Sequence, residues 1–372
     1  MRIKVHDRFT GCSKPGKSAS SEESIESRIL QARDTVFEEE LFHELVREAR
    51  IMGGQGVTTR QNLIRFAVSD EQEVMLDLVD VDQERPEDVD IEVSHEDDDA
   101  LADAIAHSIR ILLTYAHRQN LRRRTQSPPP LSQKRRQTPE YHLLRPVIAY
   151  LEHRSHARWL ESFLQNMYQV MKSAGISCDS TATPFASMNL LRKNRSLPVV
   201  EALVHEFLVP LESTFSGSLA TPQSSFKVRI RTNLSAPPFG TNYDITTNLP
   251  HYPEIQPPPR VGLRDEAAAT VTHFMMLDVV SAISLYRSPP GTNGASIWNA
   301  AYPHHGELLA VSPTTGEHRK MKIALARDAM TLLVHHGRGT NGANTRSQTW
   351  KSDPSQPPQP SLMEFVADVL RE

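Results

Sequence analysis

"ARDTVFEEELFHELVREAR", residues 32–50, is dense in charge, yet large apolar side chains recur through it. Apolar positions three and four apart mark a helix with one buried face. Extended in both directions, the pattern predicts a helix over 22–52. Ile25, Ile29, Ala32, Val36, Leu41 and Leu45 form its stripe, widened by Phe37, Phe42 and Val46. Val36, Leu41 and Leu45 are expected to pack into a core. Ser20 with Glu23 three residues on is a capping-box start, and Gly53, Gly54 and Gly56 are the stop. His43-Glu44 in the same stretch raises a second reading, a metalloprotease helix. That helix needs another His four positions after the first, where this chain has Arg47, a cation with no lone pair to give. The stretch therefore reads as a packing helix with its acids on the outer face.

Around it lies a chain of 372 residues with 41 basic and 45 acidic side chains. The apolar fraction, 38%, is low for a self-contained globule. With 26 prolines, the composition fits ordered pieces separated by polar connections, or a chain that completes its burial against partners. Cys12 and Cys178 make neither a disulfide framework nor a four-cysteine metal site, and they suit a reducing compartment. No run approaches about 18 consecutive apolar residues, so no membrane span is expected. The N-terminus, "MRIKVHDRF", alternates like a strand and has no signal-peptide apolar region.

Further strands are expected in "NLIRFAV" (62–68) and "EVMLDLVDV" (73–81). From Asp77 to Asp99, twelve of twenty-three residues are acidic. Ser94 with Asp97 starts a second helix, about 98–122, which closes on Arg122, Arg123 and Arg124. Acids before a helix and arginines after it complement its dipole, and this run lacks the pattern of a calcium loop. "TQSPPPLSQ" and the basic Lys134, Arg135 and Arg136 follow, so residues 123–140 are expected to be a mobile linker. Leu143–Ser173 reads as a long helix or a kinked pair. In the last third, "SFKVRIRTNL", "YDITTN", "GELLAVS", "KMKIALA" and "MTLLVHH" read as antiparallel strands. They accompany a buried helix over 264–287, loops at 291–294 and 337–343, and a closing helix at "SLMEFVADVLRE". The fold class is α+β: long helices with small antiparallel sheets. Three blocks are expected: 1–94, 95–175 interrupted by the linker, and 176–372.

The search for chemistry finds no catalytic, cofactor-binding or metal-binding set. His153 and His156 stand three apart on a helix, but Arg154 and Arg158 beside them oppose a cation. The adjacent pairs His304-His305 and His335-His336 do not suit chelation, because neighbouring strand residues point to opposite faces. "GGQG" (53–56) lacks the spacing of a dinucleotide or phosphate loop, and "STFSGS" (213–218) is a weak echo of a nucleophile elbow. Three Trp with no basic-aromatic interleaving give no signature of nucleic-acid binding. Arg122–Arg124 and Lys134–Arg136, two basic clusters around a Pro-rich spacer, have the form of a nuclear import signal, with a solvated basic linker as the plainer alternative.

"ILQARDTVFEEELFHELVREAR" preceded by "IKVHDRFTGCS", then "LLRPVIAYLEHR", "FKVRIRTNLSAPPFGTNYDITT", "PPPR" and the terminal "SLMEFVADVL" resemble, in order, the fungal Mediator subunit 17 family. That family is the large scaffold of the Mediator head module. Its members are longer, and this chain begins where their C-terminal half would begin. The resemblance implies a nuclear, non-enzymatic coactivator subunit without cofactor. It implies contact with head subunits 6, 8, 11, 18, 20 and 22, with the C-terminal half against 11 and 22, and with RNA polymerase II indirectly. It implies no direct sequence-specific nucleic-acid contact and no membrane. Two alternatives remain: a generic protein-interaction domain outside transcription, and a hydrolase with a dispersed site.

Overall fold

The computed structural model describes residues 1–5, 11–13, 24–69, 72–79, 96–125, 141–185, 201–202, 204, 207–233, 240–286, 298–311, 318–336, 344–353 and 359–371. Among these are five α-helices and three antiparallel sheets, an α+β architecture. The chain divides into two compact units, each drawn from separated stretches. One is Met1–Ser155, Ser187–Pro210 and Thr232–Gly240; the other is His156–Ala186, Leu211–Arg231 and Thr241–Glu372. The division therefore does not follow three consecutive blocks of sequence.

The first unit holds helix α1 (Ile25–Ile51), helix α2 (Glu96–Thr125) and the first turns of helix α3 (Leu144–Ser173). Its sheet comprises β1 (Arg2–Val5), β2 (Gly11–Cys12), β3 (Val57–Arg60), β4 (Leu63–Ala67) and β5 (Glu73–Asp77), in the order β2-β1-β5-β4-β3. Alternation places Ile3, Val5, Ile64, Phe66, Val74 and Leu76 on one buried face. Helix α2 lays Ile105, Ile109, Leu112 and Leu113 into the core and lies along β1 and β2, while α1 approaches β3.

The expected stripe on α1 is in fact two. Leu41 and Leu45 are fully buried, but Val36 is 64% exposed, and Ile25 and Ile29 are exposed as well. At about 100° per residue, the set 25, 29, 32 and 36 centres about 160° around the helix from the set 41, 45, 48 and 52. Val36 therefore cannot share Leu41's core. The helix is capped by Ser24, whose Oγ accepts from the Ser27 N–H at 3.3 Å; Ser20 and Glu23 lie outside the described residues.

The basic linker is shorter than expected at its start, because residues 123–125 continue α2. The rest of it (126–140), Ser94, most of the acidic run (80–95) and the glycine-rich tracts at 291–294 and 337–343 lie outside the described residues.

The second unit carries the remainder of α3 and most of the sheet β6-β7-β8-β9, made of Ser180–Thr183, Leu211–Ser218, Ser225–Asn233 and Gly240–Asn248. Its other sheet runs β10-β11-β12-β13-β14 in chain order, made of Asn299–Tyr302, Glu307–Val311, His318–Leu325, Ala329–His336 and Asn344–Lys351. Helix α4 (Arg264–Leu285) packs on β10 to β12. Helix α4 is long and apolar enough to cross a membrane by length and composition, a test that buried core helices also pass. Here it is the core helix, with Val271, Phe274, Met275, Leu277, Val279, Val280 and Ile283 buried. Helix α5 (Leu362–Arg371) begins with a reciprocal capping box. The Glu364 N–H donates to Ser361 Oγ at 3.3 Å, and the Ser361 N–H donates to Glu364 Oε2 at 2.7 Å.

Candidate functional site

Polar groups buried between elements mark where this fold is held together. Glu48, on the inner face of α1, is buried. Its Oε2 accepts from the backbone N–H of Leu143 and of Leu144, both at 2.7 Å, and its Oε1 from that of Arg145 at 3.2 Å. A carboxylate from one helix thus satisfies the orphan donors at the N-terminus of another, where the dipole also favours negative charge. Burial nevertheless pushes the Glu48 carboxyl above its ordinary range, outweighing the three donors. The sequence signal was its spacing: Leu41, Leu45, Glu48 and Met52 are one 4-3-4 seam, so Glu48 occupies a core position.

Helices α1 and α2 are joined by Arg110, whose Nε donates to Glu38 Oε1 at 2.6 Å. Arg122, assigned from sequence to a basic cluster, grips the buried Glu201 with both terminal nitrogens, at 2.8 and 3.4 Å, and Arg118 adds a contact at 3.4 Å. Arg123 and Arg124 are exposed, and Lys134, Arg135 and Arg136 lie outside the described residues.

His43 is exposed, and its neighbour Glu44 pairs with Arg47 at 2.9 Å, the residue standing where a second ligand would be needed. His153 is fully buried, its Nδ1 3.0 Å from Thr232 Oγ1, and burial pushes its imidazole down to about 4. His156 instead meets the Tyr243 hydroxyl, with Arg264 Nε 3.4 Å from its Nδ1 and the Arg264 guanidinium over the Trp159 ring. His304 stacks on His273, with ring centroids 5.4 Å apart. No group of three His, Cys, Asp or Glu side chains able to hold a metal occurs among the described residues.

The echo of a nucleophile elbow at 213–218 lies within strand β7, not on a strand-to-helix turn. Beside it lies an open trough of about 690 Å³, whose lining residues include Thr181, Ser216, Ser225, Phe226 and Thr246, with Asp179 and Lys227 as its ionisable groups. Another buried carboxylate went unread in the sequence. Asp278 of α4 accepts from the Thr221 N–H at 3.0 Å and from the Thr221 hydroxyl, fixing the β7–β8 turn. Arg319 likewise donates from buried Nη1 to the Val369 carbonyl in the last turn of α5.

These polar groups join elements to one another, and Ile25, Ile29 and Val36 of α1 are exposed. The family model described as subunit 17 of the Mediator complex matches residues 1–171. The protein "Mediator of RNA polymerase II transcription subunit 17" of Aspergillus oryzae is 58% identical over 387 aligned positions, which cover 100% of this chain and 60% of that protein. Along its whole length the chain is similar to proteins named as Mediator subunit 17. Its relative of the same name in Aspergillus fumigatus is also 58% identical, over 99% of this chain and 60% of that protein. The chain thus spans about 60% of the length of these subunit 17 relatives. A solved chain from "Structure of the Schizosaccharomyces pombe Mediator head module" superposes with a TM-score of 0.49 at 15% identity, over 74% of this chain and 58% of that one.

Proposed function

We propose that this chain is a non-enzymatic scaffold segment of the Mediator head module. In this reading it acts in the nucleus as part of a coactivator that bridges regulators and RNA polymerase II. The observation that carries the reading is its 58% identity, over its whole length, with a protein named as Mediator subunit 17. The geometry agrees in kind: buried polar groups serve as joints between helices, and apolar side chains are left uncovered on a long helix.

Partners follow from the family: head subunits 6, 8, 11, 18, 20 and 22, with subunits 11 and 22 the first to test. Scaffold interfaces of this kind commonly bury more than about 2,000 Å² and are more apolar than transient ones. Apolar burial is not screened by salt as charge pairing is. Coexpression with subunits 11 and 22, followed by size-exclusion chromatography at raised salt, tests the reading. A complex that survives the salt is expected. Elution of the chain by itself as a folded monomer, or binding at low salt only, overturns it.

A further inference from the structure

The basic end of α2 carries an inference of its own. Arg118, Arg122 and Thr125 follow each other at spacings of four and three, within about 60° of one another around the helix. Both arginines on this stripe meet the buried Glu201, Arg122 at 2.8 Å and Arg118 at 3.4 Å. Thr125 continues the stripe beyond Arg122. It is exposed, and its hydroxyl donates to the Arg122 carbonyl at 2.8 Å. That bond serves one of the carbonyls that a last helical turn leaves without an intrahelical partner. Arg123 and Arg124, between the two, are exposed.

The spacing suits a protein kinase. Arg122 and Arg123 stand three and two positions before the Thr125 hydroxyl, and Gln126, not proline, follows it. Arginine-directed Ser/Thr kinases select arginines at those two positions by pairing them with carboxylates. Arg135-Arg136-Gln137-Thr138 has the same spacing, but it runs into Pro139 and lies outside the described residues. A kinase reads such a segment in extended form, so the last turn of α2 has to open, and helix ends open at little cost. Arg122 resists the opening, because its guanidinium is held on Glu201. A phosphate on Thr125 acts in the opposite sense. It brings a charge of about −1.5 to −2 to the C-terminal end of a helix, where the dipole disfavours it. It also removes the hydroxyl donor to the Arg122 carbonyl and offers the Arg122 guanidinium a second anion. Glu201 retains Arg118 when Arg122 leaves.

We propose that Thr125 is a phosphorylation site for an arginine-directed Ser/Thr kinase, and that its phosphate and Glu201 compete for Arg122. In the transfer the Thr125 oxygen bonds to the γ-phosphorus of ATP and the bond from that phosphorus to the β-phosphate oxygen breaks. ADP leaves, and the hydroxyl proton passes to the kinase's base. The test treats the folded full chain with cAMP-dependent protein kinase and Mg-ATP and locates phosphate by mass spectrometry of its peptides. Phosphate is expected on Thr125. Arg123→Ala, at an exposed position, should slow its incorporation at least tenfold while leaving the thermal midpoint unchanged. Glu201→Gln weakens the hold on Arg122 and should speed incorporation at least threefold. Phosphorylation should lower the thermal midpoint of the parent chain, and that of Glu201→Gln by less than half as much. Thr125→Ala treated alike should show no shift, which separates this site from phosphate elsewhere. Absence of phosphate from Thr125, equal rates for Arg123→Ala and the parent, equal rates for folded Glu201→Gln and the parent, or a parent midpoint that the phosphate leaves unchanged would each overturn the proposal. The Arg123→Ala rate and the parent midpoint decide the matter even where Glu201→Gln fails to fold.

Discussion

Glu48 on α1 accepts a hydrogen bond from the backbone N–H of Leu144, the first residue of α3, at 2.7 Å across 96 residues of sequence. The start of one helix is therefore completed by the side chain of another. Glu48→Ala removes the acceptor and leaves buried donors unmatched, a loss of about 3 kcal/mol when an N-cap deletion and an unsatisfied donor are combined. Glu48→Gln keeps one acceptor oxygen and should cost less than half as much. Urea unfolding of the two variants checks the ranking; equal losses would mean that the hydrogen bonds do not matter.

Leu41 and Val36 should respond in opposite ways to the same change. Leu41→Asp places an unpaired carboxylate in the core and should lower the thermal midpoint by many degrees. Val36→Asp lies on an open surface and should stay within about 0.5 kcal/mol of the parent. Thermal scans of both proteins decide this, and a comparable loss at Val36 would place it in a core after all.

His153 predicts how stability follows pH. Its folded pKa, about 4, lies below the ordinary histidine value of 6.5. The unfolded chain therefore binds the proton first. Stability from this group is fully present above about pH 6.5 and is lost as pH falls from there towards 4, on the order of 3 kcal/mol in all. His153→Asn should flatten that part of the stability–pH curve. An unchanged slope in chemical denaturation between pH 7 and 4.5 would exclude His153 as the cause.

Gly306 sits at φ +69°, and a Cβ there would stand 2.3 Å from the Ile323 carbonyl oxygen, backbone that cannot swing aside. Gly56 has a similar φ of +77° with open space around it. Gly306→Ala should therefore cost several times as much as Gly56→Ala, for which about 1 kcal/mol of conformational strain is expected. Parallel thermal melts make the comparison.

The basic clusters separate two roles. Changing Lys134, Arg135 and Arg136 together to Ala should reduce nuclear accumulation without altering stability, whereas Arg122→Ala should destabilise the fold by removing the closer of the two arginines that meet buried Glu201. Fluorescence imaging beside thermal melts tests both halves. Unaltered localisation would leave the segment as a plain linker.

Periodicity made most elements legible. "NLIRFAV", "FKVRIRTN" and "KMKIAL" alternate cleanly and are strands, and the 4-3 spacing between Leu144 and Ser173 is one unbroken helix. What failed was phase: a count of apolar residues along α1 joined Val36 to Leu41, although five residues turn a helix by about 500°. Strands β7 ("LESTFSGS") and β14 ("NTRSQTWK") were missed because hydroxyl and polar residues hide the alternation. The buried carboxylates Glu48 and Asp278 were missed for another reason. Spacing marked Glu48 as a core position, but the partners of both, backbone N–H groups and the Thr221 hydroxyl, lie far away in sequence.

Two seams on nearly opposite sides of α1 also make its two halves separately adjustable. Val36 and Leu45 are nine residues apart, about 13 Å along the axis, beyond the range at which substitutions usually influence one another. Effects of changes at the two positions should simply add. The exposed half is then free to drift with whatever it meets, while the buried half keeps the domain standing.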